Sequence, residues 1–195
     1  MWELTNVQVL GKPDFTLFKD LPMSFMKLFA LLFLMANGAY AQVKTVDFVD
    51  TNRFMGTWYV IAGRFTPFEK DVFNAVEKYV WNPKKRVIEI DFSYNQGSLK
   101  GPFKRIPQTA WITNHRTNAT WKVSPFWPLR FTYLVVALAP DYEWTAIGVP
   151  DEGYLWIMAR SPNFSQEKMQ MVLDELDRIQ YSTQDLVFVR HKVIE

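Results

Sequence analysis

"RFMGTWYVIAGRF", residues 53–65, reads as a strand that sets a tryptophan directly after a Gly-Thr pair. Such an opening needs a reason. Trp58 is either ordinary core or the plug of something hollow, and the rest of the chain bears on which. Downstream come short apolar-rich segments separated by turn residues, at the spacing of an all-β barrel or sandwich. The expected strands are 56–65, 73–81, 86–95 and 105–113, then 119–125, 131–139, 143–149 and 153–160. Their connections, such as 82–85, 95–98 and 150–153, are mostly hairpin-sized, so neighbours in sequence should pair antiparallel. Eight strands in succession favour an up-and-down barrel over a Greek-key sandwich.

Alternation assigns the faces. Ile88, Ile90, Phe92 and Tyr94 alternate with Glu89, Asp91 and Ser93, while Trp121 and Val123 alternate with Thr120, Lys122 and Ser124. Segment 131–139 is apolar on both faces and must be covered outside as well as inside. The cover follows in "SQEKMQMVLDELDRIQ", residues 165–180, where Met169, Val172, Leu173, Leu176 and Ile179 recur at helical spacing behind a Ser165 N-cap. That stripe is expected to pack on the barrel wall, and "DLVFVRH", residues 185–191, reads as a final short strand.

The composition narrows the function. At 195 residues the chain suits one substantial core, and 49% apolar residues with 16% aromatic fit a globular protein. A net charge of +2, dispersed along the chain, gives no footprint for nucleic acid. With no cysteine there is no disulfide, thiolate metal site or lipid-modified cysteine. G-x-S-x-G and H-E-x-x-H are missing, and the two histidines, His115 and His191, are not placed for catalysis or haem ligation. No metal or cofactor is expected.

"MKLFALLFLMANGAYAQ", residues 26–42, carries a lysine, an apolar run and Ala39-Tyr40-Ala41, the pattern of a secretory signal peptide cleaved after Ala41. The run is far shorter than the roughly 20 apolar residues a bilayer needs. Residues 1–25 hold Glu3, Asp14 and Asp20 and read as an extension ahead of an internal start at Met23 or Met26. The mature domain is then 42–195, exported to a periplasm or the extracellular space and soluble. Asn118-Ala119-Thr120 and Asn163-Phe164-Ser165 match the glycosylation sequon, which matters only in a eukaryotic secretory pathway.

Three stretches resemble one family. Gly56-Thr57-Trp58-Tyr59 is similar to the lipocalin G-x-W signature. "ALAPDYEWTAIGVP", residues 137–150, contains an Asp141-Tyr142 pair like the lipocalin turn between the sixth and seventh strands. "YLWIMARSPNFS", residues 154–165, ends its strand on Arg160, which resembles the arginine that lipocalins set over the signature tryptophan. From about Val46 onward the chain thus resembles a lipocalin, especially the group of bacterial outer-membrane lipocalins, apolipoprotein D and plant temperature-induced lipocalins. The resemblance implies a barrel closed at one end, with Gly56, Trp58 and Arg160 as a structural clasp at the floor.

It also implies a cup that holds a small hydrophobic ligand, such as a fatty acid or lysophospholipid, for transport, storage or membrane maintenance. Counting in twos from Trp58 points Val60 and Ala62 inward, and counting back from Arg160 adds Met158 and Trp156. The alternating faces contribute Ile88, Ile90, Phe92, Tyr94, Trp121 and Val123. Similarity to apolipoprotein D implies that Tyr79 and Tyr133 face inward, with Val135 two residues on. Where bacterial relatives commonly carry a glutamate two residues after the tryptophan, this chain has Val60. Glu77 and Asp91 could act as catalytic acids if buried, but as charges on a strand's polar face they are read as solvated. Arg64, Lys70, Lys104, Arg105 and Arg130 are rim cations open to a phosphate or carboxylate. "PFWPLRF", residues 125–131, is a loop suited to a bilayer contact, a second subunit or a fold over the mouth. A lipocalin-fold enzyme and a protein-binding lipocalin are the alternatives to a carrier.

Overall fold

The computed structural model describes residues 43–69, 71–126 and 128–192. The leader expected over 26–41 and the extension over 1–25 lie outside them.

Antiparallel strands β1 (Gly56–Arg64), β2 (Val72–Asn82), β3 (Val87–Gln96) and β4 (Phe103–Ile112) are followed by β5 (Thr120–Ser124), β6 (Phe131–Leu138), β7 (Trp144–Gly148) and β8 (Leu155–Ala159). They pair in sequence order, and β1 closes the ring by pairing with both β8 and β2. Closure removes the exposed edges that an open sheet of this length would present. The β1–β2 pairing covers only Gly56–Tyr59, so the two strands part towards the open end. Strand β9 (Val187–Phe188) takes the freed edge, pairing at Ala62 and Gly63. The final strand is therefore shorter than the expected segment 185–191.

Helix α2 (Gln166–Arg178) begins at Ser165, whose hydroxyl accepts from the Lys168 backbone N–H. Its Met169, Val172 and Leu176 meet Leu134 and Val136 of β6, Ile157 of β8 and Ile61 of β1 in an outer cluster. Tyr133 and Val135, on the other face of β6, belong to the inner cluster. This explains a strand without a polar face: one side looks into the barrel, the other into the helix. Among the described residues no helix is long and apolar enough to cross a membrane.

One turn of helix at the closed end, α1 (Thr51–Phe54), was not expected from the sequence. Asp50 caps it by accepting from the Asn52 and Arg53 N–H groups, and the Asp50 N–H donates to the Tyr142 hydroxyl at 2.8 Å. The cap thereby ties α1 to the Asp141-Tyr142 turn across the floor. A 3-10 turn, Pro67–Glu69, stands at the opposite, open end.

Leu176 is wholly buried between helix and barrel. Leu176→Ala should cost about 2–5 kcal/mol, read as a lower urea midpoint with an unchanged m-value.

Candidate ligand-binding site

The site begins at its floor. Trp58 is completely buried, and its indole N–H donates to the Phe54 carbonyl at 2.8 Å. The Phe54 ring packs against Trp58, Tyr79 and Trp121, with centroids 5.1, 5.5 and 5.1 Å away. Beneath, the Arg160 guanidinium lies 3.6 Å from the Trp58 ring centroid and donates to the carbonyls of Thr57, Arg53 and Phe54. Such a cation–π contact is worth roughly 0.5–2 kcal/mol. Gly56 has φ of +102°, and a Cβ there would come within 3.3 Å of Arg160 Nη1, so both backbone and space call for glycine.

Above the floor the barrel is hollow. A cavity of about 470 Å³ is lined by Glu77 of β2, Ile90 and Phe92 of β3, Ile106 and Gln108 of β4, Val123 of β5, Tyr133 of β6 and Trp156 of β8. Around the mouth stand Thr66, Pro67, Glu69, Phe126, Leu129, Phe131, Val149 and Tyr154. The volume falls within the roughly 300–1,000 Å³ of small-ligand pockets, and the walls are mainly aliphatic and aromatic.

Of the residues expected inside, Ile90, Phe92, Val123, Tyr133 and Trp156 line this cavity. Val60, Tyr79, Ile88, Tyr94, Trp121, Val135 and Met158 belong to the inner cluster without lining it. Tyr79, Ile88 and Trp121 lie at the closed end, where large rings fill the lower barrel and inward parity means packing; Tyr94, towards the open end, packs on Phe92. Ala62 is a correction. The β1–β8 register slips between Val60 and Ala62, which puts Ala62 opposite Ile157 in the outer cluster under α2. A bulge of this kind reverses the parity, and Gly63 takes the position facing Trp156.

The second correction is Glu77, which is buried rather than solvated at 6% exposure. It accepts a hydrogen bond from the Tyr79 hydroxyl, which is 2.5 Å from the Tyr133 hydroxyl. Burial pushes the Glu77 carboxyl from its ordinary 4.5 up to about 7; the Tyr79 hydrogen bond opposes this, the Glu69 charge adds to it, and the Tyr133 hydroxyl again opposes it. Burial, followed by the Glu77 charge, holds both tyrosines well above their usual range. Counting in twos from Tyr79 would have found Glu77; on β4, Gln108 and Ile106 share the parity of Ala110, which the structure buries in the inner cluster.

Of the rim cations, Lys104 is exposed and the three arginines have other partners. Arg64 donates to the carbonyls of Gly153, Gln184, Glu152 and Ser182, and Arg105 pairs with Asp91 on the outer surface. Arg130 lies 4.8 Å from the Trp111 ring centroid. Lys70, like Trp127 in the 125–131 loop, is outside the described residues. His191 packs against the wall, its Nε2 2.8 Å from the Val60 carbonyl. Among the described residues no group of His, Asp and Glu could hold a metal ion.

The stretch that builds the ring of antiparallel strands, the sealed tryptophan floor and the outer helix, residues 49–191, matches the lipocalin-like domain family in sequence. The chain belongs to the lipocalin family. The outer membrane lipoprotein Blc of Escherichia coli K12 is 30% identical over 148 residues, covering 76% of this lipocalin and 82% of that protein. Temperature-induced lipocalin-1 of Arabidopsis thaliana is 26% identical over 144 residues, 69% of this chain and 75% of its own. The solved structure of insecticyanin from the tobacco hornworm Manduca sexta superposes with a TM-score of 0.60 at 15% identity, over 78% of this lipocalin and 85% of that chain. Lipocalin barrels of this kind bind small hydrophobic ligands.

Folded Glu77 keeps its proton up to about pH 7, whereas the unfolded chain releases it near 4.5. The resulting stabilisation is therefore full below pH 4.5 and is lost as pH rises through 7. Glu77→Gln should remove this slope, a difference on the order of 3 kcal/mol between the two ends, measured by urea unfolding across pH.

Proposed function

We propose that this lipocalin is an exported carrier of a single-chain lipid, a fatty acid or a lysophospholipid, serving lipid transport, storage or membrane maintenance. The observation that carries the reading is the cavity itself. Its walls are Ile90, Phe92, Ile106, Val123 and Trp156, it opens at one end only, and its volume is about 470 Å³. Each methylene moved from water into such walls contributes about 0.8 kcal/mol, so affinity should grow with chain length. The similarity to an outer membrane lipoprotein and the leader pattern of residues 26–41 support export. Exposed Phe126, Leu129 and Phe131 at the mouth suit transient contact with the membrane from which a lipid is taken.

One observation favours catalysis instead. Glu77, brought near neutrality beside Tyr79 and Tyr133, has the environment of a general acid or base acting on a hydrophobic substrate. A carrier remains the better supported reading, because Glu77 already accepts from Tyr79 and no serine, cysteine, lysine or histidine lines the cavity among the described residues.

Dodecanoate and a dodecanoyl lysophospholipid should each change tryptophan fluorescence saturably at micromolar concentration, and both should be recovered chemically unchanged. Ile90→Trp, which narrows the cavity with a bulky ring, should weaken binding at least about tenfold in a protein that still unfolds cooperatively. A ligand recovered in altered form would instead establish the enzyme. For export, the mature protein should begin near Gln42, as read by N-terminal sequencing; a mature chain that still carries Trp2 would refute it.

A further inference from the structure

The cavity has a polar end, and its charge has one sign. Two carboxylates face the space, Glu69 at the mouth and Glu77 deep on the wall, and no lysine, arginine or histidine lines it among the described residues. Glu69 is committed: its Oε1 accepts from the Trp156 indole N–H at 3.0 Å and its Oε2 from the Thr66 hydroxyl at 2.7 Å. Glu77 accepts from Tyr79. A carboxylate has about four acceptor sites, so Glu77 retains capacity on the side that faces the cavity. The remaining polar neighbours, Tyr133, Gln108 and Tyr154, are neutral. The wall elsewhere is aromatic, and π-faces favour cations over anions.

We infer that Glu77, with Tyr79 and Tyr133 behind it, is a subsite for the ammonium head of a single-chain amphiphile, which enters head first and lays its hydrocarbon along the wall towards the mouth. The inference rests on the carrier reading and refines it: among single-chain lipids, an ammonium head is accepted at the deep end, whereas a fatty acid binds more weakly, with its carboxylate kept away from Glu77. An ammonium group supplies both the positive charge and the N–H donors that the site lacks, whereas a fatty-acid carboxylate would be a third negative group beside Glu69 and Glu77.

The groups that bear on Glu77 are few. From its own strand there is Tyr79, from β6 Tyr133, and from the 3-10 turn Glu69. The facing strands β3, β4 and β5 bring Ile90, Phe92, Ile106, Gln108 and Val123, none of which titrates. With its carboxyl near neutrality, Glu77 is partly protonated when the site is free, and an arriving ammonium group draws it into the charged form. Binding of an amine near pH 7 should therefore release a fraction of a proton.

The test compares dodecylamine, 1-dodecanol and dodecanoate, below their micelle concentrations, by isothermal titration calorimetry. At about pH 8 dodecylamine should bind the wild-type protein at least roughly tenfold more tightly than dodecanoate, and this ratio should shrink several-fold at about pH 5.5. In Glu77→Gln the amine preference should fall to within about threefold while dodecanol affinity is retained, which also reports that the cavity is intact. Titrations in buffers of different ionisation enthalpy should reveal the released proton in wild type and none in the variant. Dodecanoate binding as tightly as the amine, or a preference unchanged in Glu77→Gln, would overturn the subsite. If Glu77→Gln does not fold, the wild-type pH profile decides: a flat amine-to-alcohol ratio through pH 7 overturns it as well. Failure of all three chains to bind would overturn the carrier reading, and the subsite with it.

Discussion

The contact between the Arg160 guanidinium and the Trp58 indole is the constraint on which the cup depends. A barrel with apolar inner faces has two mouths, and hydrocarbon can be sheltered from water only if one of them is shut. Trp58 shuts it, Phe54 braces it from the side, and Arg160 backs it from below while gathering three carbonyls around α1. Tyr142 then anchors the cap of α1 through Asp50, with Arg53 lying over the Tyr142 ring at 4.1 Å. Residues far apart in sequence thus converge on a single aromatic ring.

Much of this architecture could be read from the chain, because its causes are local or periodic. Ile88, Ile90, Phe92 and Tyr94 alternate cleanly, and the alternation is obeyed by the pleat. The two-faced apolarity of β6 required a covering helix, and α2 supplies it. Ala62 was misread because the bulge that turns it outward is a property of the β1–β8 register, and nothing in Tyr-Val-Ile-Ala-Gly marks where the register slips. Helix α1 is too short for any periodicity to show, although its capping aspartate was in plain view.

The separation of lining from filling was beyond alternation. Trp121 and Ile90 share an inward parity, yet one is packed into the floor and the other borders open space. What distinguishes them is the height of their level above the closed end and the size of the rings that meet there. Glu77 failed for a different reason. On β2 the usual pattern is inverted, with a glutamate inside at 6% exposure and Val80 outside at 46%. A rule that sends charges outward misreads a strand whose interior carries a functional or structural polar group.

Arg64 would attract attention as a basic residue near the opening of a lipid cup, yet its guanidinium already makes four hydrogen bonds to main-chain oxygens. Those oxygens come from the β7–β8 connection and from the stretch leading to β9, so the side chain works as a rivet joining the lip of the vessel to its tail. A rivet of this kind keeps its unit charge but has few N–H donors left to offer a ligand's head. The tail that Arg64 fastens is as much a part of the lip as the loops themselves.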